Sequence, residues 1–221
     1  MAADLDITAD RFITFEGVDG CGKTTQQRLT ADWLRSQGFD VCATREPGDT
    51  PLGAKIRELL LSGEFVPVPE SELLLFLADR AQHVREVIAP ALASGAWVLC
   101  DRFTDSTLAY QLAARKLAKH ADGLDALLAF AECGIQPNLT LWFDLPVPMA
   151  LQRMRQRHAM GEASTRLDEE ALSFHEAVAA GFASLQSAEP QRIRRIDAMA
   201  TVENVQEAVR ADLMAALMYA K

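Results

Sequence analysis

Gly17-Val18-Asp19-Gly20-Cys21-Gly22-Lys23-Thr24 fits the phosphate-loop pattern G-x-x-x-x-G-K-[ST] at every defined position. Each fixed residue type answers a physical need. Glycines let backbone N–H groups converge on a triphosphate, the lysine reaches its outer phosphates, and the threonine hydroxyl ligates Mg2+. The flanks agree: Phe12-Ile13-Thr14-Phe15 reads as a buried strand and Thr25 to Gln37 as a helix. That helix aims its N-terminal dipole and free N–H groups at the phosphates. Gly17 or Gly22 alone would be an ordinary turn residue. All four fixed positions between a strand and a helix make this octapeptide the expected ATP cradle.

Outward from the loop, apolar runs alternate with helical patterns. Strands are expected at Arg11–Glu16, Asp40–Thr44, Trp97–Asp101, Leu139–Leu145 and Arg192–Asp197. Helices are expected at 23–37, 52–61, 70–94, 104–116, 122–132, 146–158, 168–187 and 202–219. Short apolar strands separated by helices imply an α/β fold, a parallel sheet with helices on both faces. Ligands in such folds sit beyond the carboxyl ends of the strands. The phosphate loop, Arg45-Glu46-Pro47-Gly48, Asp101-Arg102 and the segment after Asp144 therefore share one rim. No repeat, low-complexity tract or linker divides the 221 residues, so one domain over 1–221 is expected.

Composition narrows the function classes. Hydrophobic content of 49% and charged content of 24% are ordinary for a soluble globular protein. A net charge of −9 argues against a general binder of nucleic acid or anionic membrane. The longest charge-free stretch, Val87 to Cys100, is too short to span a bilayer and is broken by Pro90 and Gly95. Met1 to Asp10 is acidic without an apolar core, so no signal peptide is expected there. Cys21, Cys42, Cys100 and Cys133 show no C-x-x-C spacing and fall in expected strands or the phosphate loop. They are expected to be free buried thiols in a reducing cytoplasm. The four histidines are scattered and form no metal-ligand pattern.

Three constellations carry chemistry. Ala96-Trp97-Val98-Leu99-Cys100-Asp101 is an apolar strand ending in a carboxylate that can hold Mg2+ opposite Thr24. Leu141-Trp142-Phe143-Asp144 has the same form. Asp101 is preferred because Arg102 follows it, and an arginine there can fork onto a phosphate. Gln152 to Gly161 carries Arg153, Arg155 and Arg157 without an acidic residue. Arg153 and Arg157 share a helix face while Arg155 points away. A solvated face is the ordinary meaning of such a run. Phosphoryl transfer, however, needs cations that close over developing charge, and a basic lid at about 152–166 meets that need. On a third helix Phe76 and Arg80 lie four apart. A core role is the commoner fate of such a phenylalanine, but the pair could also stack a planar base and donate to its carbonyl.

Jointly these motifs resemble bacterial thymidylate kinase, which makes dTDP from dTMP and ATP. The resemblance is carried by Phe15-Glu16-Gly17-Val18-Asp19-Gly20, Gly22-Lys23-Thr24-Thr25-Gln26, Thr44-Arg45-Glu46-Pro47-Gly48, Asp101-Arg102-Phe103, Ser106-Thr107 and Ala109-Tyr110-Gln111. They run in the family's order across most of the chain. The resemblance implies a P-loop nucleoside monophosphate kinase fold with a five-stranded parallel sheet and a short basic lid, and a homodimer. It implies that Asp19 approaches the deoxyribose 3′-hydroxyl and the metal, and that Phe76 stacks on thymine while Arg80 bonds its O4. Thr107 would sit at the base edge with Gln111 nearby. Tyr110 would lie where a ribose 2′-hydroxyl would otherwise fit. Arg57 and Arg102 would grip the acceptor phosphate, and Arg45-Glu46-Pro47-Gly48 would line the pocket with a strained peptide bond before Pro47. Some members carry an arginine at the place of Gly20 or Cys21. This chain resembles the group that supplies the charge from the lid, here Arg153, Arg155 and Arg157.

The chain also departs from the pattern. Leu112-Ala113-Ala114-Arg115-Lys116 stands where a glycine-rich stretch is common, Phe103 replaces tyrosine, Asp49 replaces glycine, and Thr165 replaces a carboxylate. Two other readings compete. A regulatory GTPase would carry a guanine-reading N-K-x-D motif, and the sequence has none. A kinase for another monophosphate or for a nucleoside fits the phosphate loop, but Arg57 and Arg102 favour a phosphorylated acceptor and Tyr110 a deoxyribose. In-line transfer to an already anionic phosphate needs no strong general base, so positioning and charge neutralisation suffice.

Overall fold

Five short strands form one parallel sheet at the centre of the chain: β1 (Phe12–Glu16), β2 (Val41–Arg45), β3 (Trp97–Asp101), β4 (Leu139–Asp144) and β5 (Ile193–Asp197), in the order β2-β3-β1-β4-β5. The computed structural model describes residues 11–117 and 123–219. The acidic stretch Met1–Asp10 and position 122, the expected start of a helix, lie outside the described residues. β1, β3 and all but the last residue of β4 are buried, as strands covered on both faces must be. Register sets Phe15 level with Asp101 on one side and with Leu141 on the other. The strand ends therefore bring the phosphate loop and Asp101 to one edge.

Helices follow each strand: α1 (Lys23–Ser36), α2 (Pro51–Leu61), α3 (Pro69–His83), α4 (Ala89–Ala93), α5 (Thr104–Thr107), α6 (Leu124–Glu132), α7 (Val147–Ala159), α8 (Leu172–Ala188) and α9 (Val202–Tyr219). Two of the expected helices prove composite. The run 70–94 splits into α3, a π-helical turn at Val84–Ile88, and α4. Pro90 lacks the N–H that would bond Glu86 and its ring would crowd that carbonyl, so the widened turn before it relieves both problems. The run 104–116 becomes α5 followed by a π-helical segment, Leu108–Ala114, in which Arg115 N–H donates to the Tyr110 carbonyl. Here tertiary partners override local propensity, because Tyr110 and Gln111 are each held by other segments. α8 begins at Leu172 rather than 168, since Asp168 is used in a turn with Thr165.

The main core lies between β1, β4 and β5 and helices α1, α8 and α9, with Phe15 and Phe143 stacked 5.9 Å apart. A second cluster packs Phe12, Val98 and Phe103 under Val84 and Ile88, and a third joins α3 to α6. Cys133 corrects the expected strand placement: it ends α6 in a left-handed conformation, φ 51°. Cys21 and Cys100 are buried, Cys42 and Cys133 half-buried, and all four are free thiols. Among the described residues no helix is long and apolar enough to cross a membrane.

Candidate active site

Beyond the carboxyl ends of β1, β2 and β3 opens a cavity of about 1320 Å³, lined by the phosphate loop on one wall and by α3 and the 106–111 segment on another. The loop holds its shape because Gly17, Gly20 and Gly22 take positive φ values of 138°, 87° and 100°. Gly20 faces a further constraint: a Cβ there would collide with the Ala150 carbonyl of α7. Lys23 is nearly buried and donates to the Gly17 and Val18 carbonyls at 3.0 Å each. Its ammonium lies 4.0 Å from Asp19.

Thr24 Oγ1 donates to Asp101 Oδ2 at 2.6 Å. The rival carboxylate, Asp144, is instead paired with Arg195 at 2.6 Å. Two convergent oxygens beside a phosphate-loop lysine fit a hard cation that keeps several waters and takes phosphate oxygens as further ligands, as Mg2+ does. No group of three or more His, Cys, Asp or Glu side chains arranged for a metal occurs among the described residues. Gln27, which the sequence did not mark, ties α1 to the sheet through the Thr44 and Leu99 carbonyls at 2.6 and 2.7 Å.

Arg102 ties together several groups that line the cavity. It occupies the left-handed region at φ 76°, a conformation of order 1 kcal/mol uphill for a residue with a Cβ. From there its guanidinium reaches Asp19 at 2.8 Å, Ser106 Oγ at 2.9 Å and Tyr110 OH at 3.1 Å. Tyr110 OH also donates to Asp19 at 3.1 Å. Burial pushes the Asp19 carboxyl upward, but Arg102 and Lys23 outweigh it and hold the carboxyl well below its usual range. Arg57 donates to the Pro47 carbonyl at 2.9 Å and lines the same cavity as Arg45 and Arg102. Burial, then the neighbouring Arg45 and Arg102 charges, lower its pKa. Three converging guanidiniums of this kind form an anion site.

Phe76, Arg80, Thr107 and Gln111 also line the cavity. Arg80 is buried, its Nε held by Glu46 at 2.9 Å and its plane 4.8 Å from the Phe103 ring. Its Nη1 has no protein partner. Arg45, Glu46 and Pro47 line the pocket, and the Glu46–Pro47 peptide is cis. On α7, Arg153 and Arg157 reach the cavity while Arg155 does not. Arg153 donates to the Ala198 carbonyl and Arg157 to Glu162, each at 3.3 Å.

The model of the family described as thymidylate kinase matches residues 15–209. The chain belongs to the thymidylate kinase family. It is 51% identical over 195 residues to a thymidylate kinase of Synechococcus sp. (strain JA-2-3B'a(2-13)), covering 88% of this chain and 89% of the relative. It is 46% identical to that of Syntrophus aciditrophicus, covering 90% and 91%. The crystal structure of thymidylate kinase from Ehrlichia chaffeensis superposes with a TM-score of 0.72 at 31% identity, covering 93% of this chain and 99% of that one.

Several bonds that hold this cavity in shape join segments the sequence did not connect. Glu16 is fully buried and accepts from Phe103 N at 2.7 Å, Ser106 N at 3.2 Å and Ser106 Oγ at 2.6 Å, fixing the turn that carries Arg102. Burial, reinforced by Asp105, raises its pKa to about 7. His83 bridges Glu46 at 3.0 Å and Thr44 at 2.6 Å, and Thr44 donates to Asp49. Asp79 accepts from Gly48 N at 3.1 Å, and burial with the nearby Glu46 charge raises its pKa to about 6. A buried carboxylate at a strand end or next to Pro47 was the available signal, since such groups demand partners. Arg115 stacks 4.5 Å from Phe174 and bonds Glu72 and Glu170.

Proposed function

We propose that the chain transfers the γ-phosphoryl group of ATP to a phosphate oxygen of dTMP, releasing dTDP and ADP for dTTP synthesis. One observation carries this reading: a phosphate loop shares its cavity with a nucleotide-sized recess whose buried Arg80 Nη1 lacks a partner. A buried guanidinium N–H left open is costly unless a ligand acceptor fills it. Thymine O4 would fill it, with Phe76 against the ring and Thr107 and Gln111 at its edge. The phosphate-loop amides and Lys23 hold the donor phosphates. Thr24 and Asp101 would hold Mg2+, which would supply charge neutralisation for the donor phosphates. Arg102 and Arg57 orient the acceptor phosphate, and Asp19 meets the sugar 3′-hydroxyl. Tyr110, held by Arg102 and Asp19, occupies the space a ribose 2′-hydroxyl would need. Arg153 and Arg157 close over the γ-phosphoryl and exclude water.

The unit is read as one kinase domain over 1–221 with its lid at about 152–166, working in the cytoplasm as a homodimer. Exposed Leu74, Leu127 and Phe130 on the outward sides of α3 and α6 support the dimer. A coupled ADP-release assay across dTMP, dUMP, UMP, CMP and thymidine tests the activity. dTMP is expected to show the highest kcat/KM, thymidine none, and EDTA should stop turnover until Mg2+ is restored. Equal turnover of UMP, or phosphorylation of thymidine, would overturn the reading.

A further inference from the structure

Glu72 is one of the most enclosed carboxylates in the chain, with a side chain 1% exposed, and it does not itself line the cavity. Four donor groups from two other segments converge on it. Gln111 Nε2 donates to Oε1 at 3.0 Å, Arg115 Nε to Oε1 and Nη2 to Oε2 at 3.2 Å each, and Arg166 Nη2 to Oε2. Arg166 is further tied to α2 by its backbone N–H and Nε, which donate to the Leu61 and Leu60 carbonyls. Burial pushes the Glu72 carboxyl upward, but the bonds from Arg115, Gln111 and Arg166 prevail and hold it below its usual range. It is therefore an acceptor only.

That fact has a consequence for Gln111, whose side-chain amide carries a donor end and an acceptor end. With the NH2 turned to Glu72, the carbonyl Oε1 is the end left to the cavity that Gln111 lines. Thymine and uracil present an acceptor O4 and a donor N3–H, whereas cytosine presents a donor N4–H2 and an acceptor N3. The buried, unpartnered Arg80 Nη1 and a Gln111 Oε1 turned away from Glu72 match the first pattern and clash with the second at both points.

We propose that Glu72 is a positioning residue for base selection: by taking the Gln111 amide N–H it keeps the Gln111 carbonyl facing the base, and so rejects cytosine. The proposal rests on the dTMP kinase reading. Arg115 and Arg166 keep Glu72 ionised and in place, and they link base reading to the return arm of the lid.

The test is the ratio of kcat/KM for dUMP to that for dCMP, two substrates that differ only in the base edge, measured in the wild type and in Glu72→Gln. A glutamine at 72 can accept or donate, so the Gln111 amide is free to turn over and present its NH2 to cytosine N3. The ratio is expected to fall about tenfold or more, equivalent to ~1.4 kcal/mol. A purely structural role would slow both substrates alike, and an unchanged ratio overturns the proposal whatever the loss of rate. Circular dichroism melting checks that the variant folds. Should it not fold, Glu72→Asp decides: the shorter side chain keeps the charge but withdraws from Gln111, and the ratio should fall at least ~3-fold, with no change overturning the proposal. A wild type inactive on dTMP sinks the function and this proposal together. An active wild type with an unaltered ratio in the variant sinks this proposal alone.

Discussion

Glu16 shows how much a single side chain contributes behind the reacting groups. Its three accepted hydrogen bonds fix Phe103 and Ser106, and between them and β3 Arg102 is bent into its left-handed conformation. The folded protein keeps a proton on Glu16 up to about pH 7, while the unfolded chain releases it near the ordinary value of 4.5. Stability linked to this group is therefore complete below pH 4.5 and is lost as pH rises to about 7. Glu16→Gln removes the titration while keeping the shape. Unfolding free energies of the two proteins, from denaturant titrations, should diverge in favour of the variant between pH 5 and pH 7.5, by on the order of 2 kcal/mol. A constant difference across that range would remove Glu16 from the account. At this scale Lys23, Thr24, Asp101 and Arg102 were legible in the sequence, because the motif fixes both residue type and spacing. The partners of Glu16, Glu46, His83 and Glu72 were not, since they lie 34 to 94 residues away.

At the level of elements, α7 divides its arginines by face. Arg153 and Arg157 turn to the cavity and Arg155 turns out, as a 3.6-residue period requires. Arg153→Ala and Arg157→Ala should each lower kcat by about 100-fold, with dTMP Kd changed less than ~3-fold, because the lost charge acts mainly on the transition state. Arg155→Ala should stay within ~2-fold of the wild type. Steady-state kinetics with dTMP titration separates these outcomes, and unchanged kcat in both cavity-facing variants would discard the lid role. The periodicity of α7 was readable because local spacing decides it. The π-helical segment Leu108–Ala114 was not, for its winding answers to Asp19, Arg102 and Glu72 on other elements.

For the whole molecule, alternation of strands and helices was enough to announce the parallel sheet, and its carboxyl edge to announce the site. Assembly is a different matter, because an apolar residue on an outer helix face looks in sequence like any core residue. Phe130 is 80% exposed on α6, and Phe130→Glu is expected to convert a dimer to a monomer in sedimentation velocity at micromolar concentration. A wild type that sediments as a monomer would refute the assembly. Gly20 presses so closely on the Ala150 carbonyl that any side chain at 20 must first drive α7 away. Any substitution at 20 would thus act on two elements at once, disturbing the seating of α7 as well as the shape of the loop.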